Sequence, residues 1–146
     1  MEMIKDLLQI TLKLEKLKDI PLLAIRFILA YGFITPATLK WRNIEGIARW
    51  FDKMNYPFPA LSAYLSATTE ALGVILLLLG LATRYISIPL IIVMLVAILT
   101  VHLGNGFDAG DNGAEIPIYY IIMLFTLIIY GPGKISIDEL IRRKLK

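Results

Sequence analysis

The chain has 146 residues, no cysteine and a formal net charge of +3, and 58% of its residues are hydrophobic. This apolar fraction and a mean hydropathy of +0.71 exceed what is usual for soluble domains, so we expect one integral membrane domain in contact with the lipid bilayer. The lack of cysteine excludes disulfides, thiolate metal sites and CxxC redox chemistry, and no basic stripe carries the interleaved aromatic residues that bind nucleic acid.

Four apolar runs are long enough, or nearly long enough, to cross a hydrocarbon core of about 30 Å as helices. They cover residues 20–39, 59–82, 86–103 and 115–131. They predict an all-α fold, an integral membrane four-helix bundle in which residues 1–146 form a single domain. The first nineteen residues are rich in Lys and Leu and lack the pattern of a signal peptide, so we expect an amphipathic surface helix there.

Two further short helices are expected outside the apolar runs. Residues 44–53 repeat apolar side chains at helical spacing opposite charged ones, which predicts a helix lying in the outer membrane interface. Trp41 and Trp50 suit that depth. After the last run, Ser136 and Glu139 have the spacing of a capping box, so a short basic amphipathic helix is expected to follow.

The distribution of Lys and Arg predicts the orientation. An even number of spans places both termini on one side of the membrane, and that side carries ten Lys and Arg residues. The other side carries four, which are Lys40, Arg42, Arg49 and Lys53. Because basic residues favour the cytoplasmic side, both termini are expected in the cytoplasm.

Glu70 is the most informative residue, because a carboxylate near the centre of a membrane helix costs about 3 kcal/mol or more unless it has a partner or a wet cavity. The helical rise places Glu70 about 16 Å and Arg26 about 21 Å below the outer surface, which is one helical turn apart. We therefore predict an Arg26–Glu70 ion pair. Either it takes part in binding or proton handling, or it only fixes helix packing.

A polar rim is expected above this pair. His102 ends the third run and Glu115 opens the fourth, so both should lie near Lys40 and Trp41 at the outer surface. The imidazole of His102 is either a proton carrier or a simple interfacial anchor. With one His and no Cys, a bis-His haem site cannot form within one chain, and neither haem nor a metal site is predicted.

The arrangement of these residues resembles the DoxX family, and the resemblance covers about residues 20–140. It rests on the following residues and segments, as they stand in this sequence: Arg26, Lys40, Pro57-Phe58-Pro59, Glu70 with Gly73, Gly80-Leu81-Ala82-Thr83-Arg84, residues 101–107 (VHLGNGF), Glu115 and residues 131–138 (GPGKISID). The resemblance implies a four-span bundle in a prokaryotic cytoplasmic (inner) membrane. It also implies a link to quinone-dependent oxidoreduction, as in quinol oxidase and DoxD-type thiosulfate:quinone oxidoreductase subunits.

The first functional hypothesis is accordingly a quinone-linked oxidoreductase subunit with a soluble or membrane oxidoreductase partner. In this hypothesis Glu70, Arg26 and His102 are the catalytic residues, with Glu70 relaying the proton. The quinone is bound by residues nearer the rim, which are Lys40, Trp41, Trp50 and Glu115.

Two alternatives stay open. The outer loop and its similarity to the HvfX-like branch favour a non-catalytic membrane partner or a small-solute or metal-handling protein, for example of a copper-related peptide-maturation system. The basic ends of the chain favour a scaffold that docks soluble enzymes. A homo-oligomer is compatible with each hypothesis.

Overall fold

The computed structural model describes residues 2–145, and within this range the chain forms seven α-helices and no strand. The helices are α1 (Glu2–Glu15), α2 (Asp19–Arg42), α3 (Ile44–Lys53), α4 (Pro59–Leu79), α5 (Thr83–Ala97), α6 (Glu115–Tyr130) and α7 (Ile137–Lys144). α5 continues through a π turn at Ile98–His102 into a 3-10 turn at Leu103–Asn105. The predicted all-α helical bundle is confirmed.

Three helical stretches are long and apolar enough to cross a membrane. They are α2, α4 and the continuous stretch Thr83–Asn105, whereas α6 is equally apolar but has only 16 residues. At 1.5 Å per residue α6 is about 24 Å long, somewhat less than a hydrocarbon core of about 30 Å. These helices identify the chain as a membrane protein.

The long helices pack as two pairs, α2 with α4 and α5 with α6, and α4 also contacts α5. α3 lies against α4, as an amphipathic interfacial helix should. One end of the bundle, here called the loop end, carries residues 43–58 and 103–114. The opposite end, here called the terminal end, carries α1, α7 and the turns at residues 80–82 and 131–136. The fully buried core lies between the two ends and includes Leu29, Phe33, Leu77, Leu90, Leu124 and Leu127.

Side chains at the terminal end cap the helices that meet there. Asp138 accepts hydrogen bonds from the backbone N–H groups of Ala82 at 2.7 Å and Thr83 at 3.1 Å, at the start of α5. α5 has no capping side chain of its own, so α7 supplies one. Asp19 caps the turn before α7 by accepting from the backbone N–H of Lys134 at 2.9 Å.

The predicted capping box of α7 is half formed. The Ser136 hydroxyl accepts from the backbone N–H of Glu139, as expected. The Glu139 carboxylate instead binds Arg142 and Arg143, one helical turn further on. The hydrogen bonds from Arg143 and Arg142 lower the pKa of the Glu139 carboxyl below its usual value.

Gly80 ends α4 in the left-handed region, with φ +64°, and a methyl group there would lie 2.6 Å from Nη2 of Arg26 and from Cβ of Ser136. We expect Gly80→Ala to lower the free energy of unfolding by about 2–4 kcal/mol, because backbone strain adds to the steric overlap. Reversible unfolding in mixed micelles measures the change. The matched control is Gly104→Ala, whose added methyl group meets open space. An equal loss of stability in both variants would contradict the prediction.

Candidate functional site

The centre of the candidate site is an ion pair between α2 and α4. Nζ of Lys40 donates a hydrogen bond to Oε1 of Glu70 at 2.5 Å. Glu70 is only 1% exposed, and the Lys40 side chain is 17% exposed. The second carboxylate oxygen of Glu70, Oε2, is buried and has no hydrogen-bond partner among the described residues. The pair therefore neutralises the buried charge but leaves one acceptor of Glu70 available.

The predicted Arg26–Glu70 ion pair is wrong, and the direction of helical side chains explains why. A side chain on an α-helix points toward the N-terminus of its own helix. Because α2 begins at the terminal end and α4 at the loop end, Arg26 and Glu70 point away from each other. Lys40 points down α2 toward the terminal end and thus toward Glu70. Lys40, which the sequence analysis placed at the outer rim, therefore points inward to Glu70.

Arg26 binds backbone carbonyls at the terminal end. Its Nε donates to the Leu77 carbonyl at 2.9 Å, and Nη2 donates to the Leu78 carbonyl at 3.0 Å. Nη1 donates to the carbonyls of Pro132 at 3.0 Å and Ile135 at 2.7 Å. The last carbonyls of a helix lack helical partners and carry its partial negative charge, so the guanidinium caps α4 and ties the turn before α7 to it. This geometry is that of a structural residue.

Lys40 and Glu70 line a cavity of about 390 Å³ between α2, α4, α5 and α6. Its walls are mostly apolar, with Phe33, Met94 and Ile116 among them. The polar groups that reach it come from several elements of the fold and include His102, Asn112 and Tyr120 in addition to the ion pair. A mostly apolar cavity with a few convergent polar groups is the usual form of a small-molecule site.

His102 reaches this cavity because α5 ends in a π turn. π turns are rare in proteins and are frequent at functional sites. The ring atom Nδ1 of His102 lies 2.7 Å from the carbonyl oxygen of Asn112. Because a carbonyl only accepts, Nδ1 carries the proton, and Nε2 is the acceptor in the neutral imidazole. The backbone of the loop thus selects the tautomer of His102.

The other predicted site residues lie outside the cavity. The indole N–H of Trp41 donates to the Ala67 carbonyl at 3.2 Å, and its ring lines a separate groove between α2 and α4. Trp50 is half-exposed on α3 and packs beside Phe51. Glu115 accepts from the hydroxyl of Tyr119 and from the backbone N–H of Ala109, which fixes the loop before α6. Of the predicted site residues, Lys40, Glu70 and His102 are brought together.

Sequence reasoning missed two features of the cavity, Tyr120 and the carbonyl of Gly32. Tyr120 packs edge-on against Phe33 with ring centroids 5.4 Å apart, and its hydroxyl occupies the space that a side chain on Gly32 would need. Pro36 has no N–H, so the Gly32 carbonyl cannot receive the usual helical hydrogen bond from residue 36. A glycine four residues before a proline inside a span was the available signal for a carbonyl without its usual helical donor.

The arrangement can bind a small molecule and exchange a proton with it. The Lys40 ammonium donates hydrogen bonds, Oε2 of Glu70 accepts one, and Nε2 of His102 accepts a proton. Since Glu70 is almost fully buried, its polar contacts are stronger there than at an exposed surface.

The DoxX family model matches residues 21–103. An "Uncharacterized protein" of Haemophilus influenzae is 32% identical over 128 residues, which cover 85% of each chain. The "Putative oxidoreductase CatD" of Bacillus subtilis is 26% identical over 128 residues, covering 88% of this chain and 92% of its own. No solved structure matches the chain.

The matched segment contains most of the residues that carried the resemblance, but Glu115 and residues 131–138 lie beyond it. Arg26, Lys40, Glu70 and His102 all lie within it. It covers more than half of the 146 residues. The chain belongs to the DoxX family.

Proposed function

We propose that this protein is a subunit of a quinone-linked membrane oxidoreductase and that its cavity binds the quinone head group. The observation that carries the proposal is the buried Lys40–Glu70 pair. Oε2 of Glu70 has no partner among the described residues, and the carboxylate lines a cavity of about 390 Å³, which has room for a quinone ring. The similarity to a relative named as a putative oxidoreductase supports the same class of function. The proposal assigns electron transfer to a soluble or membrane partner that carries a redox centre.

The residues present fit a quinone head group. Its two ring oxygens need hydrogen-bond donors in the oxidised form and acceptors in the reduced form, and it supplies a two-electron, two-proton couple when bound. Lys40 provides a donor, and Oε2 of Glu70 provides an acceptor for a hydroxyl proton. Phe33, Met94 and Ile116 provide apolar walls for the ring. Glu70 is therefore the catalytic base of the proposal, and Lys40 orients both the carboxylate and the ligand.

The proposal includes a topology. α2, α4, the stretch Thr83–Asn105 and α6 all cross a prokaryotic cytoplasmic membrane, and the shorter α6 is accommodated beside α5. Both termini lie in the cytoplasm, because basic residues are concentrated at the terminal end. The cavity then opens toward the outer surface.

Glu70→Gln is expected to lower quinol oxidation by about a hundredfold or more, which is typical for the loss of a general base. The amide cannot accept the hydroxyl proton, although its shape matches that of the carboxylate. Turnover is measured in proteoliposomes made from native membranes that contain the partner, with a short-chain quinol as the substrate. The matched control is Glu45→Gln, since the side chain of Glu45 is 85% exposed on α3.

Two outcomes contradict this proposal. One is unchanged turnover in the folded Glu70→Gln variant. The other is wild-type protein that neither carries quinone through purification nor binds a short-chain quinone added to it. Trp41 lies next to Lys40 in α2, so quenching of its fluorescence in a Trp50→Phe background gives a direct binding signal.

The metal-handling alternative finds no comparable support. Among the residues whose side chains the structure describes, no three His, Cys, Asp or Glu lie close enough together to hold a metal ion. The quinone proposal uses a pair of groups that the fold does bring together.

A further inference from the structure

We propose that protons released at Glu70 leave the cavity only toward the loop end, and that His102 relays them. This inference rests on the proposed function and adds a direction to it. It assigns the protein a one-sided proton outlet, which would make quinol oxidation at this site contribute to the transmembrane proton gradient.

The cavity is closed toward the terminal end. Phe33 forms its floor and is fully buried, and Leu29 lies one helical turn below it on the same face of α2. Leu77, Leu90 and Leu124, which come from three other helices, are fully buried in the same core cluster. Below them, four of the five N–H donors of the Arg26 guanidinium bind backbone carbonyls. The layer below Phe33 is therefore apolar, and the buried hydroxyls of Ser87 and Thr83 lie beyond it, near the start of α5.

The cavity is polar toward the loop end. Its lining includes Ala109 and Asn112, which are exposed, and Gly113, all from the loop between α5 and α6. His102 is partly exposed, contacts this loop through the Asn112 carbonyl and lines the same cavity as the ion pair. The described groups that face this route are Lys40 on α2, Glu70 on α4 and Tyr120 on α6. The carboxylates of Asp108, Asp111 and Glu115 follow in the loop and at its end.

The hydrogen bond of His102 suits a relay. Nδ1 donates to the Asn112 carbonyl whether the ring is neutral or protonated, so uptake of a proton at Nε2 leaves this contact intact. The ring therefore changes its charge without changing its position. A glutamine could donate to the same carbonyl, but it could not carry the proton.

The proton balance follows from the two-electron, two-proton couple of quinol and quinone. One quinol gives two electrons to the redox centre of the partner protein, and its two hydroxyl protons pass one after the other to Oε2 of Glu70. Each proton then moves to Nε2 of His102 and from there to water at the loop end. Glu70 returns to the carboxylate form after each transfer and again accepts from Lys40.

Thiol accessibility tests the route without any turnover. The chain has no cysteine, so single-cysteine variants report one position each. Ala97→Cys places a thiol in the cavity wall, Gly104→Cys marks the loop end, and Leu145→Cys marks the terminal end. Ala30→Cys, in the fully buried core, is the matched control. The probe is a charged, membrane-impermeant methanethiosulfonate, which reacts with water-exposed thiols.

We expect the thiol at position 97 to be modified from the side that modifies position 104 and not from the side that modifies position 145. The thiol at position 30 is expected to stay unmodified from both sides. Modification at 97 from the side of position 145, or from neither side, overturns the one-sided outlet. Because this assay needs no quinone, its result is independent of the proposed function.

The relay is tested by His102→Gln, which is expected to slow proton release at least tenfold in proteoliposomes that contain a pH-sensitive dye. Imidazole added at the loop end should restore the rate, and imidazole added at the terminal end should not. The matched control is Asn105→Ala, which removes another hydrogen bond to the same Asn112 carbonyl and should leave the rate unchanged. Unchanged proton release in His102→Gln, with normal turnover, overturns the relay while the quinone function stands. Absent turnover in the wild type rejects the quinone function, and with it the relay.

Discussion

Arg26→Met is expected to lower the free energy of unfolding by about 3–5 kcal/mol, because buried backbone carbonyls lose a charged hydrogen-bond donor. The side chain is 2% exposed, and its loss removes a donor from four carbonyls at the terminal end, of which Leu77 keeps a hydrogen bond from the backbone N–H of Gly80. Unsatisfied buried acceptors cost about 1–3 kcal/mol each, and partial hydration at this end reduces the sum. Reversible unfolding in mixed micelles measures the change.

The matched control is Arg49→Met. Arg49 is 71% exposed and lies 3.9 Å from Glu45, so its loss should change stability by less than about 1 kcal/mol. Arg26→Lys should be nearly as damaging as Arg26→Met, because one ammonium cannot match the planar fork of a guanidinium. A stable Arg26→Met protein that has lost turnover would instead restore the catalytic role that the sequence suggested for Arg26.

A double-mutant cycle on the ion pair should give the second large effect. Lys40→Met and Glu70→Leu are each expected to lower the free energy of unfolding by about 3–5 kcal/mol, because each leaves a single buried charge without its partner. The double variant should recover most of that loss, since two apolar side chains of similar size replace the pair.

The same cycle distinguishes a role of the ion pair in stability from a role in turnover. Turnover should stay absent in the double variant although its stability returns, because the acceptor at Oε2 is gone. If turnover returned together with stability, the pair would serve packing only, and the proposed role of Glu70 would fail. Quinol oxidation and unfolding are therefore measured on the same preparations.

The sequence predicted the helices well because few backbone conformations are stable in a bilayer. Backbone groups must be satisfied internally in lipid, so apolar runs of sufficient length become helices. The interfacial helix was predicted at residues 44–53, and α3 covers Ile44–Lys53. The fourth run, predicted at 115–131, is a helix of 16 residues that is too short to identify as a span by length alone.

The partner of Glu70 was not predicted because depth alone was used to choose it. Arg26 and Glu70 lie within one helical turn of each other by that measure, yet their side chains point to opposite ends of the bundle. The direction of helical side chains, applied to the predicted spans, favours Lys40 over Arg26. His102 was correctly placed near the loop end, but its contact with Asn112 depends on a π turn and a loop that no periodicity encodes.

The π turn at Ile98–His102 also makes the number of residues in this stretch matter. Such a turn holds one residue more than an α-helical turn of the same height. A relative with one deletion here would keep its α5 helix but would rotate the following residues by about 100° around the axis. Its imidazole would then point away from the direction it has here, in which it lines the cavity. Insertions and deletions within these five positions should therefore separate family members that share this chemistry from those that share only the scaffold.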